Sequence, residues 1–394
     1  MITHSRLGPS GAERWMKCPG SVELLKHLEL PESDEPDYRK EGTAAHEAAA
    51  YCLRHAIDAW EINGQEFNGV PVAEEMADGI QIYIDECRSW GPLPAMAPEM
   101  ETWIASANMI WYIEHPLASP GIHPEAFGTV DFALVNCHTL RMRDFKYGQG
   151  IVVEAYQNPQ LMYYAFMLLR LHPEVRQVDI GVVQPRAFHA DGPVRRWETD
   201  AAEILDWGHT VLIPAMQAVE IDRTLDPGPH CRFCPAKLVC PAMAALANAA
   251  ASTDANTPVN LTDERLGADY CQLAALEMYI KAVRDETFRR LNSGIVVPGT
   301  KLVAKRANRV WKPEATDALT TAIGLDAFTE PALKSPAEME KVSAAAKVLV
   351  KELAYLPDNG LTVALAGDQR LAITVQKTEE RFAKGLDNIE GDAA

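Results

Sequence analysis

The sequence predicts an α/β protein, in which a mixed central sheet is flanked by helices and an α+β appendage follows at the C-terminal end. Two neighbouring apolar runs, 127–136 and 139–146, are rich in Val, Phe and Leu and predict a β-hairpin. The apolar stretch 158–171 predicts a buried helix, and the run 176–184 predicts a buried strand. This alternation of helices and strands is typical of an α/β core with a mixed sheet.

The other elements of this core follow from residue patterns along the chain. Residues 41–60 are rich in alanine and predict a helix, with Thr43 as its N-cap and His46 in its first turn. Apolar periodicity predicts further elements, namely a short helix over 10–28, a helix over 72–90, a strand over 99–114 and a helix over 200–222. These elements supply the helices that flank the predicted sheet.

The chain is long enough for a main domain and an appendage. Residues 246–260 are rich in Ala, Asn, Ser and Thr with one proline, and they are the predicted linker. The main domain then covers 1–245. The accessory region, 261–394, is predicted to begin with a long helix over 262–292.

Composition places the chain among globular proteins. Its 394 residues are 47% hydrophobic and 23% charged. No apolar run approaches the roughly 18–20 residues that a membrane helix needs. The first residues lack the apolar region of a secretory signal. The sequence therefore predicts a cytoplasmic protein.

The formal net charge is −18, which argues against nucleic-acid binding through overall charge. A local basic segment nevertheless lies between residues 281 and 312, with nine lysines and arginines against two acidic residues. It includes Arg309 and Trp311, which suit phosphate contact and stacking on a base or sugar. The alternative is a solvated helix face followed by a hairpin that packs on the main domain.

Two acids and a lysine stand at the edges of the predicted hairpin. Asp131 lies at the start of the first strand, and Asp144 and Lys146 lie at the end of the second. Carboxylates from neighbouring strands are suitable ligands for Mg²⁺. Lys146 follows Asp144 by two residues, so both side chains project from the same face of the strand. This pattern predicts a metal-dependent site for phosphodiester hydrolysis, although Asp144 and Lys146 alone would equally suit a surface ion pair.

Three cysteines are clustered in a C-x2-C-x5-C run at Cys231, Cys234 and Cys240. In a long chain with few cysteines, this spacing favours a metal site over disulfides. Cys18, in a K-C-P-G turn, is the predicted fourth ligand. Zinc and a 4Fe–4S cluster both accept four cysteines, and the spacing does not choose between them. The other four cysteines are predicted to be small buried residues.

Four short motifs occur in the order of a known superfamily. They are G-T-x-x-H at 42–46, G-T-V-D at 128–131, D-F-K at 144–146 and Q-L-M-Y-Y-A at 160–165. This order resembles the RecB-like branch of the PD-(D/E)XK nucleases. The cysteine run is similar to the iron–sulfur staple of AddB-type and CRISPR-associated RecB-like nucleases. W-M-K-C-P-G-S and D-F-K-Y-G-Q-G resemble a phage-encoded branch. The resemblance covers roughly 10–245.

The resemblance implies a restriction-endonuclease-like core and a set of site residues. The implied ligands of Mg²⁺ or Mn²⁺ are His46, Asp131, Asp144 and the carbonyl of Phe145. Lys146 is the implied catalytic lysine, and Gln160 and Tyr164 would position that lysine or a DNA phosphate. The implied ligands of a 4Fe–4S cluster, with zinc as the alternative, are Cys18, Cys231, Cys234 and Cys240. Glu101 is a weaker candidate for the catalytic site.

The activity implied by the resemblance is that of a DNA exonuclease acting on linear ends in phage recombination, replication or end processing. In that case the protein would act in the cytoplasm of a bacterial host. The resemblance also allows a homo-oligomer and a single-strand-annealing or single-strand-binding protein as partner. The main alternative is a catalytically inactive DNA-binding or scaffold partner of a recombination protein. An RNA-directed nuclease is a third option.

Overall fold

A computed structural model describes residues 5–28, 37–91, 102–106, 109–252 and 262–301. The predicted site residue Glu101 lies outside these ranges, as do Arg309 and Trp311 of the basic segment. Most of the predicted linker and most of the accessory region are outside them as well.

Helices within the described ranges occur mostly where apolar periodicity predicts them. They are α1 (Ala12–Lys17), α2 (Gly20–Lys26), α3 (Asp37–His55), α4 (Glu74–Arg88), α5 (Pro159–Leu171), α6 (Ala201–Trp207), α7 (Ile213–Ile221), α8 (Pro241–Ala251) and α9 (Asp263–Asn292). The single helix predicted over 10–28 is wrong, because the chain turns at Cys18. A residue that precedes a proline is disfavoured in the α conformation, and Cys18 has φ −134° and ψ 74°.

The strands form a two-stranded ribbon and a six-stranded sheet. Their bounds are β1 (Glu66–Phe67), β2 (Val70–Pro71), β3 (Thr102–Ser106), β4 (Met109–Ala118), β5 (Phe127–Asn136), β6 (Thr139–Phe145), β7 (Gln177–Val183) and β8 (Val194–Asp200). The order in the large sheet is β3-β4-β5-β6-β7-β8. Only the β6–β7 pair of this sheet is parallel. The predicted mixed sheet is thus confirmed.

The parallel pair follows from the connection between its strands. Parallel neighbours need a crossover, and α5 lies between β6 and β7 in the chain. The side chain of Asn158 accepts hydrogen bonds from the backbone N–H groups of Gln160 and Leu161. With Pro159 in the first turn, this cap begins α5 at a defined residue. The cap therefore places Gln160 at the end of the helix nearest to β6.

Helices cover both faces of the sheet. On one face, α3 and α4 bury an apolar cluster that includes Phe132, Leu134 and Phe145. On the other face, α5 packs against Ala133, Val135 and other apolar residues of the strands. Strand residues alternate between the faces, so this burial accounts for the apolar run of β5. Strand β8 was not predicted, because an edge strand reading V-R-R-W-E-T-D carries little apolar signal.

A third apolar cluster surrounds the cysteine loop, with residues of α8 and α9 packed on it. The chain divides into two compact units, Met1–Pro298 and Gly299–Ala394. The first unit therefore includes α9 and extends past the boundary that the sequence predicts at 246–260. None of the helices that the structure describes is long and apolar enough to cross a membrane.

Candidate functional site

The candidate site lies where β5 and β6 separate. The ladder between these strands ends at the pair Phe132 and Arg143. Strand β6 remains paired with β7 through Asp144 and Phe145. Beyond the end of the β5–β6 ladder, Oδ2 of Asp131 accepts a hydrogen bond from the backbone N–H of Phe145 at 2.7 Å. The two predicted acidic motifs therefore meet at one end of the hairpin, as the sequence predicts.

Glu114 is a site residue that the sequence analysis missed. The β4–β5 register is the same on both sides of Glu114, which places this residue opposite Asp131. Glu114 has φ +44°, a left-handed conformation that is unfavourable for a residue with a side chain. Its Oε1 lies 3.1 Å from Nδ1 of His46. The one signal in the sequence was an acid within the otherwise apolar run M-I-W-Y-I-E, which lies in no recognised motif.

His46 comes to this group from α3. Its Nδ1 lies 3.6 Å from Oδ2 of Asp131, and its ring packs against Phe145 with ring centroids 5.5 Å apart. The ligand atoms of His46, Glu114 and Asp131 all lie within 4.8 Å of one another, a grouping that can hold a metal ion. The backbone of Phe145 adjoins this grouping, while its ring stacks on Tyr83.

The charged side chains of His46, Glu114 and Asp131 lie close together and shift one another's pKa values. Burial alone would lower the pKa of His46, but the charge of Asp131 and the hydrogen bond and charge of Glu114 raise it to about 9. Burial raises the pKa of Asp131, and the neighbouring carboxylates of Asp144 and Glu114 raise it further against the opposing charge of His46. Carboxylates this close repel each other, so the arrangement favours a bound cation.

Asp144, Lys146 and Gln160 form a closed ring of contacts. Nζ of Lys146 lies 2.7 Å from Oδ2 of Asp144 and donates to Oε1 of Gln160 at 3.1 Å. Nε2 of Gln160 donates to Oδ1 of Asp144 at 2.9 Å. Burial opposes the charge of Lys146, but Asp144 and Asp131 raise its pKa, so the ammonium stays charged. The side chain of Asp144 is 5% exposed and that of Lys146 is 29% exposed, so the lysine is the more accessible of the two.

Tyr164 serves a different part of the site from Gln160. Burial raises the pKa of its hydroxyl, and the backbone of Thr129, at the start of β5, opposes that rise. A Cβ atom on Gly128 would lie 3.1 Å from that hydroxyl and 2.8 Å from Cδ of Pro9. The glycine of the G-T-V-D motif is therefore required by close packing, and Tyr164 supports the strand that carries Asp131.

The four predicted cysteine ligands line one small cavity. They are all buried, and they come from the turn after α1 and from the loop before α8. Gly20 allows the start of α2 to approach the segment before the cysteine loop closely, because a Cβ on Gly20 would collide with the backbone of Arg223 and Thr224. Within the described residues, these four cysteines do not form a metal-holding grouping of the kind that His46, Glu114 and Asp131 form.

The remaining cysteines differ from one another. Cys52 and Cys87 are buried as predicted, and burial raises the pKa of both thiols. Cys137 and Cys271 are exposed, so the prediction that they are buried is wrong. Cys137 lies in the β5–β6 turn at φ +52°, and Cys271 lies on α9. The apolar character of cysteine was the basis of the prediction, and it does not distinguish a cysteine in a turn or on an exposed helix face from one in the core.

The basic segment is described only up to Lys301. On α9, Arg289 and Arg290 each lie 2.7 Å from a carboxylate oxygen of Glu286. Part of the positive charge that the sequence places here is therefore offset within the helix. DNA contact by this segment stays a prediction.

Comparison with known families places the chain in one of them. A family described as a protein of unknown function, DUF2800, matches residues 4–371. The match spans both compact units, and the chain belongs to this family.

Proposed function

We propose that this protein is a metal-dependent DNA exonuclease that hydrolyses phosphodiester bonds from DNA ends. We assign it to the RecB-like branch of the PD-(D/E)XK superfamily, with a restriction-endonuclease-like core and a phage-related role in recombination, replication or end processing. One observation carries the proposal. A lysine held by Asp144 and Gln160 stands beside a cation-binding group formed by His46 and Asp131.

The residues at the site suit Mg²⁺ or Mn²⁺. Hard divalent cations prefer carboxylate oxygens, and Mn²⁺ also accepts imidazole. Oδ2 of Asp144 is buried and lies close to the ammonium of Lys146, but the geometry between them is not that of a hydrogen bond. This oxygen is therefore available to bind a metal ion. His46, Glu114, Asp131 and Asp144 would hold the ion, with the Phe145 carbonyl as the further ligand that the resemblance implies.

A bound divalent cation supplies Lewis acidity toward a phosphoryl oxygen and lowers the pKa of coordinated water. The chain's own residues contribute charge and orientation. The ammonium of Lys146 stabilises the negative charge that develops on the phosphate as water adds to phosphorus and the bond to the leaving oxygen breaks. Gln160 restrains that ammonium, because it bonds both Lys146 and Asp144. Hydrolysis needs no further reactant besides water and DNA.

We also propose that Cys18, Cys231, Cys234 and Cys240 bind a 4Fe–4S cluster, with zinc as the alternative. Four thiol ligands suit either group. The resemblance of the cysteine run to an iron–sulfur staple is what favours the cluster. The link would close a loop of more than two hundred residues. Its entropic stabilisation would be about 4–5 kcal/mol if treated like a disulfide.

The activity is tested on end-labelled linear DNA and on closed circular DNA, with Mg²⁺, Mn²⁺ or EDTA. We expect digestion of linear DNA only, abolished by EDTA. Asp144→Asn and Lys146→Met should each lower the rate by about 100-fold or more, since each removes a charge used in the transition state. Lys17→Met is the matched control, because Lys17 pairs with Glu13 on an exposed helix surface.

Each alternative gives a different result. Digestion of closed circular DNA as well as linear DNA would show that the enzyme is an endonuclease and not an exonuclease. Digestion of RNA but not DNA would contradict the proposed substrate. DNA binding without hydrolysis in any metal would contradict the enzyme and support the inactive DNA-binding protein.

A further inference from the structure

Arg54 lies in the last turn of α3, the helix that carries His46, and it belongs to none of the recognised motifs. Its Nη2 donates a hydrogen bond at 2.9 Å to the backbone carbonyl oxygen of Ile113 on β4. A cation in the last turn of a helix is favourable by itself, because the C-terminal end of the helix dipole is negative. That effect needs no other element, so it does not account for the hydrogen bond to β4.

The carbonyl that Arg54 binds belongs to the peptide unit directly before Glu114. A peptide unit is planar, and φ of Glu114 is the rotation about the bond that joins this unit to its Cα. A restraint on the plane of the unit is therefore a restraint on φ. Glu114 has φ +44°, and such a strained conformation persists only where its surroundings hold it.

The sheet itself restrains this part of β4 weakly. Among the described residues, the pairing of β4 with β3 reaches Tyr112 and goes no further. The pairing with β5 is interrupted at Glu114 and resumes at His115. The hydrogen bond from Arg54 therefore holds β4 at a point where neither neighbouring strand does.

Arg54 makes this contact at a cost. Its Nε is buried and has no hydrogen-bond partner within the described residues, and a buried donor without a partner lowers stability. Its positive charge also lies close to the candidate cation site, where like charges repel. Electrostatic attraction to the bound ion therefore cannot explain an arginine at this position, whereas the orientation of the backbone can.

Helix α3 contacts both parts of Glu114. Nδ1 of His46 lies 3.1 Å from Oε1 of Glu114, and Arg54 binds the peptide unit before it. The two helix residues are eight positions apart, which is about 12 Å along the axis. One rigid element thus holds the carboxylate at one end and the backbone that aims the carboxylate at the other.

We propose that Arg54 is a positioning residue of the metal centre. Its hydrogen bond to the carbonyl of Ile113 keeps Glu114 in the left-handed conformation, and this directs the carboxylate toward His46 and the bound ion. The inference rests on the proposed metal centre and does not depend on the nature of the nucleic-acid substrate.

The test compares Arg54→Met with the wild type, using the metal-free full-length protein and calorimetric titration with Mn²⁺ at constant pH. Methionine has a similar length but cannot donate a hydrogen bond. We expect Mn²⁺ to bind Arg54→Met about 10-fold more weakly, at the low end of the usual effect of losing a group that orients a metal ligand. Arg176→Met is the matched control, because Nη1 of Arg176 donates to the backbone carbonyl of Pro173, next to the end of β7 that is far from the site. The control should bind Mn²⁺ like the wild type.

A second comparison separates positioning from general damage to the fold. In the Glu114→Gln background the charged ligand is already lost, so adding Arg54→Met should weaken Mn²⁺ binding by no more than about a further twofold. A crystal structure of metal-free Arg54→Met gives a readout that needs no ion. In it, Glu114 should leave the left-handed region and its Oε1 should lie beyond hydrogen-bond distance of His46. Should Arg54→Met fail to fold, Arg54→Gln allows the same comparisons, because its amide nitrogen ends two bonds short of the position of Nη2.

The outcomes overturn distinct statements. Unchanged Mn²⁺ affinity of Arg54→Met would overturn the positioning role, and tighter binding would do so by showing that Arg54 acts through its charge. An equal loss in the wild-type and Glu114→Gln backgrounds would overturn it in favour of general damage, as would an unchanged Glu114 in the crystal structure. If the wild type bound no Mn²⁺, the metal centre would be wrong and the role of Arg54 with it. If Mn²⁺ bound as expected and DNA were not digested, only the nuclease activity would be wrong.

Discussion

Glu114 offers the sharpest test of the candidate metal centre. The substitution Glu114→Gln keeps the size of the side chain and removes its charge. Two carboxylates, Glu114 and Asp131, face Nδ1 of His46 at 3.1 and 3.6 Å. Together they raise the pKa of His46 from 6.5 to about 9 despite its burial. That rise corresponds to roughly 3 kcal/mol of net interaction.

The expected magnitude follows from this shared interaction. If Glu114 carries about half of it, its loss removes roughly 1–2 kcal/mol, and the pKa of His46 falls by about one. A dication bound between the same groups loses at least as much attraction. We therefore expect Mn²⁺ to bind Glu114→Gln about 10- to 100-fold more weakly than the wild type.

The assay is calorimetric titration with Mn²⁺ at constant pH, with NMR titration of the His46 ring. Glu174→Gln is the matched control, because Oε1 of Glu174 lies 3.2 Å from Nδ1 of His172, away from the site. The control should bind Mn²⁺ like the wild type. Mn²⁺ affinity of Glu114→Gln within twofold of the wild type would refute the reasoning, since Glu114 would then hold no ion.

Three other predictions concern the same region. Mn²⁺ affinity should rise with pH from about 6.5 to about 9, because His46 keeps its proton up to about pH 9 in the metal-free protein and the cation must displace it. The charge pairing that stabilises the metal-free protein is complete below pH 6.5 and is lost as pH rises through 9. Calorimetry that shows constant Mn²⁺ affinity over this interval would exclude His46 as a ligand. Glu114→Gly should be more stable in urea unfolding than Glu114→Ala by about 1 kcal/mol, because both variants lose the pairing with His46 and only glycine accepts φ +44° without strain. Equal stability of the two variants would contradict the backbone strain. Gly128→Ala should lower the free energy of unfolding by about 1–3 kcal/mol, because the added Cβ would lie 2.8 Å from Pro9. The control Gly148→Ala should lower it far less, because no atom lies within 4 Å of its added carbon. Equal losses in the two variants would disprove the packing explanation.

Much of the site was predictable because its residues lie at the ends of regular elements. The side chains of Asp144 and Lys146 share a strand face, and β-alternation alone requires that. The cap at Asn158 and the apolar run after it determine that α5 begins at Pro159 and that Gln160 lies in its first turn. By contrast, Glu114 lies in a strand whose sequence gives no reason for a left-handed residue. Its position opposite Asp131 depends on register, which is a property of two strands and not of one.

Local pattern also could not reveal how distant segments meet. Gln160 and Tyr164 share a helix face, yet one bonds Lys146 and the other supports the start of β5. That difference depends on how α5 packs on the sheet, because Gln160 contacts Lys146 after the end of β6 and Tyr164 lies against Gly128 at the start of β5.

By itself, the sequence determined the type and order of most core elements, since helix and strand periodicity and caps act over a few residues. It also determined which thiols and carboxylates are available for chemistry. Only the tertiary structure decided that Glu114 joins His46 and Asp131, that the edge strand β8 completes the sheet, and that the four cysteines line one cavity. The physical reason is that strand register and packing of distant segments depend on the whole core, which no short window of the chain contains.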